Sequence, residues 1–173
     1  MADADDPILL DNCAISACVS AEGWKALVAR YKLETVETVA IEEATGYQHR
    51  QTFDRDEFRS QVLIHKVSEQ DRLSKGIEHA DLGVLDNGER DLWIHALGRT
   101  DGWILCGPDI ASIRFGVRAG HGDRLISLES LFDAIGFKPR KRLPEHQTAK
   151  WLKTKVDEFS LELQFEKIQK SSK

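Results

Sequence analysis

The sequence is poor in cysteine, has no long apolar run and shows no internal repeat. Its cysteines are Cys13, Cys18 and Cys106, an odd number with no CxxC pair. That excludes a disulfide framework and reads as reduced thiols in a cytoplasmic protein. No apolar stretch approaches membrane-spanning length, and the acidic start Met1-Ala2-Asp3-Ala4-Asp5-Asp6 is unlike a signal peptide, so no membrane association is expected. Positive charge is also in deficit: the formal net charge is −5. Such a chain is a poor non-specific nucleic-acid binder, and any contact of that kind must use a local basic patch. Low complexity is confined to the polar end at 170–173.

What is present is core material. Hydrophobic residues make up 41% and charged residues 31% of 173 residues, enough for a real core and against wholesale disorder. The length fits one large domain or one domain with an appendage. The leading feature is Pro7-Ile8-Leu9-Leu10-Asp11-Asn12-Cys13-Ala14-Ile15-Ser16. Its short apolar run without a polar face suits a strand covered on both sides, as in a parallel sheet. Asp11 then falls at the strand's C-terminal end, where open α/β sheets place their sites. A carboxylate there is costly to desolvate unless a cation neutralises it.

The remaining chain alternates strand and helix signals. Helices are expected over 14–19, 24–31 and 39–44, the last capped by Thr38, with a strand at 33–36 between the second and third. Residues 47–59 are polar and carry no clear signal. A strand is expected within 61–67, followed by Ser68 and Asp71 as a capping box for a helix ending near Gly83. Asn87-Gly88 reads as a turn before a helix whose first turn carries Glu89 and Asp91. Trp103-Ile104-Leu105-Cys106 is a buried strand, and Gly107-Pro108-Asp109 puts a second carboxylate at a strand end. A helix over 110–117, a strand at 125–128 and a helix over 131–135 capped by Ser130 complete the pattern. Beyond Gly136, Lys138, Arg140, Lys141 and Arg142 form a basic run, and Leu152, Val156, Phe159 and Leu163 mark an amphipathic helix over 147–169.

This rhythm implies a three-layer α/β/α fold with a mainly parallel sheet over residues 1–136, then a basic linker and C-terminal helical extension over 137–173. Asp11, Glu43, Glu89 or Asp91, and Asp109 are expected to gather at one edge of the sheet. An all-oxygen cluster suits Mg²⁺ or Mn²⁺, and the chemistry that calls for it is phosphodiester hydrolysis.

At these residues the chain resembles the PIN-domain family, the nuclease fold of many toxin–antitoxin toxins, over roughly residues 8–136. The opening strand, its Asp and the aliphatic run match Leu10-Asp11-Asn12-Cys13-Ala14-Ile15. The family's helical Glu resembles Glu43, with Glu42 as the alternative. Leu85-Asp86-Asn87-Gly88-Glu89-Arg90-Asp91 is similar to the LDxGExE segment of one branch. There Asp91 matches the family's helical acid and Glu89 the branch's Gly-Glu. The acid after the next buried strand is Asp109. Two positions depart from the pattern: Gly107 stands where Thr or Ser is frequent, and Cys13 where Ser or Asn is frequent.

The resemblance implies a metal-dependent endoribonuclease that cleaves RNA. Asp11, Glu43, Asp91 and Asp109 would be catalytic and would hold Mg²⁺ or Mn²⁺, with Glu89 as a further ligand. It also implies a toxin role, a homodimer and an antitoxin protein as partner. Two other readings stay open. One is a catalytically degenerate PIN-like module for RNA binding or assembly; the other is a receiver-like phosphotransfer domain, disfavoured because no Lys falls at a later strand end. Simpler accounts also exist for single residues. Asp11 suits a turn or helix cap, Asp109 an N-terminal helix residue, Glu42 and Glu43 solvated helix faces, His95 a packed or surface histidine, and Arg114, Arg118 and Arg124 either phosphate contacts or surface charge.

Overall fold

The structure, a computed structural model, describes residues 6–45, 55–107 and 109–171, without the side chains of residues 42–45 and 55. Five parallel strands form one sheet in the order β3-β2-β1-β4-β5. They are β1 (Ile8–Leu10), β2 (Leu33–Val36), β3 (Leu63–His65), β4 (Ile104–Cys106) and β5 (Leu125–Ile126). Helices cover both faces, so the architecture is α/β/α in three layers. Residues Ile8, Leu9 and Leu10 are at most 1% exposed, as a centrally placed parallel strand requires.

The connecting helices are α1 (Asn12–Ser20), α2 (Trp24–Arg30), α3 (Glu37–Thr45), α4 (Arg55–Gln61), α5 (Glu69–Glu78), α6 (Asn87–Leu97), α7 (Ile110–Arg118) and α8 (Leu128–Ala134). Ser68 caps α5 through a reciprocal box with Asp71, as its spacing predicts. That helix ends at His79, and a 3-10 turn over Ala80–Val84 follows. Part of the unassigned 47–59 stretch is helical, because α4 begins at Arg55.

Three local expectations are corrected. Thr38 does not cap α3, which already begins at Glu37, and its hydroxyl donates to Asp91 instead. Asn87-Gly88 is not a turn but the start of α6, because the Asp86 side chain accepts from the Glu89 amide at 2.8 Å and caps the helix two residues earlier. Likewise Ser127, not Ser130, caps α8 and accepts from the Ser130 amide at 3.0 Å.

The C-terminal helix α9 (Ala149–Ser171) lies along α7. Leu152 and Phe159 are buried there with Ile113 and Val117. Each such side chain contributes about 2 kcal/mol on leaving water. Two arginines, Arg114 and Arg118, tie α9 to α7. Arg114 stacks over the Phe159 ring at 4.6 Å and pairs with Glu162. Arg118 bridges Asp81 and Glu166, while Arg124 lies over the Trp103 ring and donates to the Trp103 carbonyl. These arginines are therefore engaged within the chain.

Among the described residues, no helix is long and apolar enough to cross a membrane. None of the three cysteines forms a disulfide. Burial pushes the Cys18 thiol up to about 12 and the Cys106 thiol well above the ordinary range, so neither is a nucleophile.

Candidate active site

The topology singles out one edge of the sheet. From β1 the chain winds outward through β2 to β3, then returns to β4 on β1's other side. The carboxyl ends of β1 and β4 therefore flank the point where the winding reverses, the usual crevice for ligands in open α/β sheets. Leu10 lies beside Cys106, and the Asp11 amide donates to the Cys106 carbonyl at 3.2 Å. Asp11 leaves one of these strands and Asp109 follows the other.

Helix N-termini meet at the same edge, because crossover helices run antiparallel to the strands they join. Asp11 caps α1, accepting from the Cys13 amide at 3.2 Å. Asp109 caps α7, accepting from the Ser112 amide at 2.9 Å. Asp86 caps α6, and Glu89 stands in that helix's first turn. Asp11, Asp86 and Asp109 thus have a structural task as caps, and helix dipoles offset part of the charge of all four acids. That does not account for their mutual proximity.

Burial raises Asp11 to about 7, with the charges of Asp86 and Asp109 adding to it, against amide hydrogen bonds from Cys13 and Asn12. Burial, a hydrogen bond with Asp109 and the charges of Asp109, Asp11 and Asp86 raise Glu89 to about 9. Asp11 and Glu89 are each 5% exposed. Among the described residues, no Lys, Arg or His is ion-paired with Asp11, Asp86, Glu89 or Asp109. Four carboxyl groups are therefore coupled by charge at one edge without a protein cation. Among the described residues no three of them bring ligand atoms within 4.8 Å of one another, so a hard divalent ion there would have to draw them closer.

The structure sorts the candidate residues unequally. It brings Asp11, Glu89 and Asp109 together and adds Asp86. Asp91, 2% exposed, is engaged elsewhere: Arg72 donates Nε to Oδ1 at 2.8 Å and Nη2 to Oδ2 at 2.7 Å, and Thr38 donates its hydroxyl to Oδ2. These hydrogen bonds outweigh burial and hold Asp91 below its ordinary range. In α6, Glu89 rather than Asp91 shares the hydrogen bond with Asp109. The Glu42 and Glu43 side chains lie outside the described residues. Asp86 is not a candidate while Asn87-Gly88 reads as a turn; its signal in the sequence is the cap position before an apolar helix.

Gly107 is held to glycine by its backbone. Its φ is +84°, and a Cβ there would lie 2.3 Å from the Ala14 Cβ. At Gly107 the backbone lies so close to α1 that a side chain does not fit.

A groove of about 270 Å³ opens beside α1, lined by Cys13, Ser16, Ser20, Lys141, Arg142 and His146 among others. The basic run thus reaches the helix that Asp11 caps. No family model matches the chain, and no curated protein matches it.

Proposed function

We propose that this chain is a metal-dependent ribonuclease with a PIN-like site. The observation that carries the reading is the crowding of Asp11, Asp86, Glu89 and Asp109, uncompensated by a protein cation, at the reversal point of the sheet. Asp11, Glu89 and Asp109 would hold Mg²⁺ or Mn²⁺, with Asp86 beside them and Glu43 as a further candidate from α3. Such an ion supplies an activated water and neutralises charge developing on a phosphate. Asp91 then acts as a positioning residue, tying α6 to Arg72 and Thr38 so that Glu89 faces Asp109. The Lys141, Arg142 and His146 groove offers cationic contacts for an RNA backbone in an otherwise acidic protein. A toxin role, an antitoxin partner and a homodimer follow from the family resemblance.

Gly107 favours a second reading, a PIN-like module that binds RNA without cutting it, because it removes the hydroxyl frequent in the family next to the last acid. A fluorescent single-stranded RNA separates the two. Cleavage with Mn²⁺ or Mg²⁺, stopped by EDTA and reduced at least ~100-fold in Asp11→Asn and Glu89→Gln, is the expected result. RNA that is bound but left intact by the unaltered chain with either ion would replace the nuclease with the binding module.

A further inference from the structure

A second set of metal-type donors lies on the outer half of the sheet, apart from the carboxylate edge. Glu34 sits in β2, His65 closes β3 and His95 is in α6. Glu34 Oε2 is 2.7 Å from His65 Nε2 and 3.9 Å from His95 Nε2. The two imidazoles stack with centroids 4.0 Å apart and planes 24° apart. Among the described residues this is the one set of three His, Cys, Asp or Glu side chains whose ligand atoms all lie within 4.8 Å of one another. The carboxylates around Asp11 are coupled by charge but spaced more widely than that.

The donor chemistry is specific. Two imidazole nitrogens with one carboxylate oxygen suit Zn²⁺ and neighbouring first-row dications, whereas Mg²⁺ prefers oxygen alone. Glu34 supplies the carboxylate oxygen, placed against both imidazoles on a strand flanked by β1 and β3. Access exists as well. The His65 and His95 side chains are 26% and 18% exposed, and a groove of about 220 Å³ runs past His95 and Arg99.

A competitor is present in the same place. Arg99 Nη1 donates to Glu34 Oε2 and lies 3.1 Å from His95 Nε2. Its other nitrogens hold Asp101, with Nε at 2.8 Å and Nη2 at 2.6 Å. The guanidinium therefore keeps an anionic partner when it leaves Glu34, and an incoming dication replaces the positive charge withdrawn.

We infer that Glu34, His65 and His95 form a binding site for a first-row transition-metal dication, zinc foremost, that ties the edge strand β3 to β2 and α6. The site needs neither the nuclease reading nor any residue assigned to it.

The full chain, stripped with EDTA and dialysed, is titrated at neutral pH with Co²⁺ and then Zn²⁺. One Co²⁺ per chain is expected, with the intense visible bands of a four- or five-coordinate nitrogen-and-oxygen site, bleached by one equivalent of Zn²⁺. Zinc is expected to raise the Tm by roughly 5 °C at saturation. His65→Asn and His95→Gln should each weaken Zn²⁺ binding about 100-fold, and Asp11→Asn should leave it unchanged. Absence of the Co²⁺ bands in the unaltered chain overturns the site without recourse to any variant. Zinc affinity that is lost in Asp11→Asn, or retained when both histidines are replaced, overturns it too by moving the ion elsewhere.

Discussion

Asp11 and Glu34 are buried alike, at 5% and 7% exposure, and both come from the sheet's central strands, yet their carboxyl groups are driven in opposite directions. Asp11 is raised to about 7 and Glu34 lowered to about 2. Burial penalises charge at both positions, so the difference lies in the company. Asp11 faces other acids, while Glu34 receives Arg99, His65 and His95. One region has a surplus of negative charge without a protein cation; the other already contains one. The comparison separates two uses of a buried carboxylate: an ionised, fully partnered group stabilises the fold, and a crowded, partly protonated group destabilises it unless a ligand arrives.

The largest test removes the crowding. Asp11→Asn keeps a good helix cap and deletes a like charge. It is expected to reduce metal-dependent RNA cleavage at least ~100-fold while raising the metal-free Tm by a few degrees. A lower Tm would show that the carboxylate is not a burden to the metal-free fold. The reciprocal change, Arg99→Leu, strips Glu34 of its permanent cation. A loss of about 2 kcal/mol, roughly 4–8 °C in Tm, is expected in thermal melts, with Glu34 titrating upward by carboxyl NMR. An unchanged melt would mean the two histidines suffice.

Gly107→Ser adds a hydroxyl two residues before Asp109 but forces a side chain onto a φ of +84° and into Ala14. A loss of about 1–3 kcal/mol is expected by denaturant melts. A neutral result would show that the approach of β4 to α1 relaxes freely.

A separate test is the pH profile of the metal-free chain. Asp11 and Glu89 have folded values of about 7 and about 9, above their ordinary 3.8 and 4.5. The unfolded chain releases those protons first, so their contribution is complete below pH about 4 and is lost as pH rises through 9. Glu34, at about 2 against 4.5, acts in reverse: its contribution is present above about 4.5 and is lost as pH falls toward 2. The metal-free Tm should therefore peak near pH 4–5 and decline on both sides, and Mn²⁺ should flatten the alkaline limb. A flat profile between pH 5 and 9 without metal would break the contrast between the two regions.

Much of the framework was readable without coordinates because its signals are local. The apolar run before Asp11, the Ser68–Asp71 box and the strand before Asp109 each act within a few residues, and the structure follows them. Where two local signals competed, the reading went astray: at Asp86 the cap prevailed over the Asn-Gly turn, and at Ser127 an earlier serine captured α8. The choice between Glu89 and Asp91 lay beyond local reasoning. Both stand at the start of α6, and what divides them is Arg72, nineteen residues away from Asp91 in the chain. Glu34 looked like one polar residue in an ordinary strand, and His95 like a packed histidine in a helix.

The sequence by itself determined the alternation of strands and helices and the placing of Asp11 and Asp109 at strand ends, because hydrophobic period and helix capping are short-range. Only the tertiary structure decided which acids share a pocket, which are neutralised and that Glu34, His65 and His95 meet. Charge interactions depend on distances between elements that are set by the order of strands in the sheet, and that order is fixed by packing the whole chain at once.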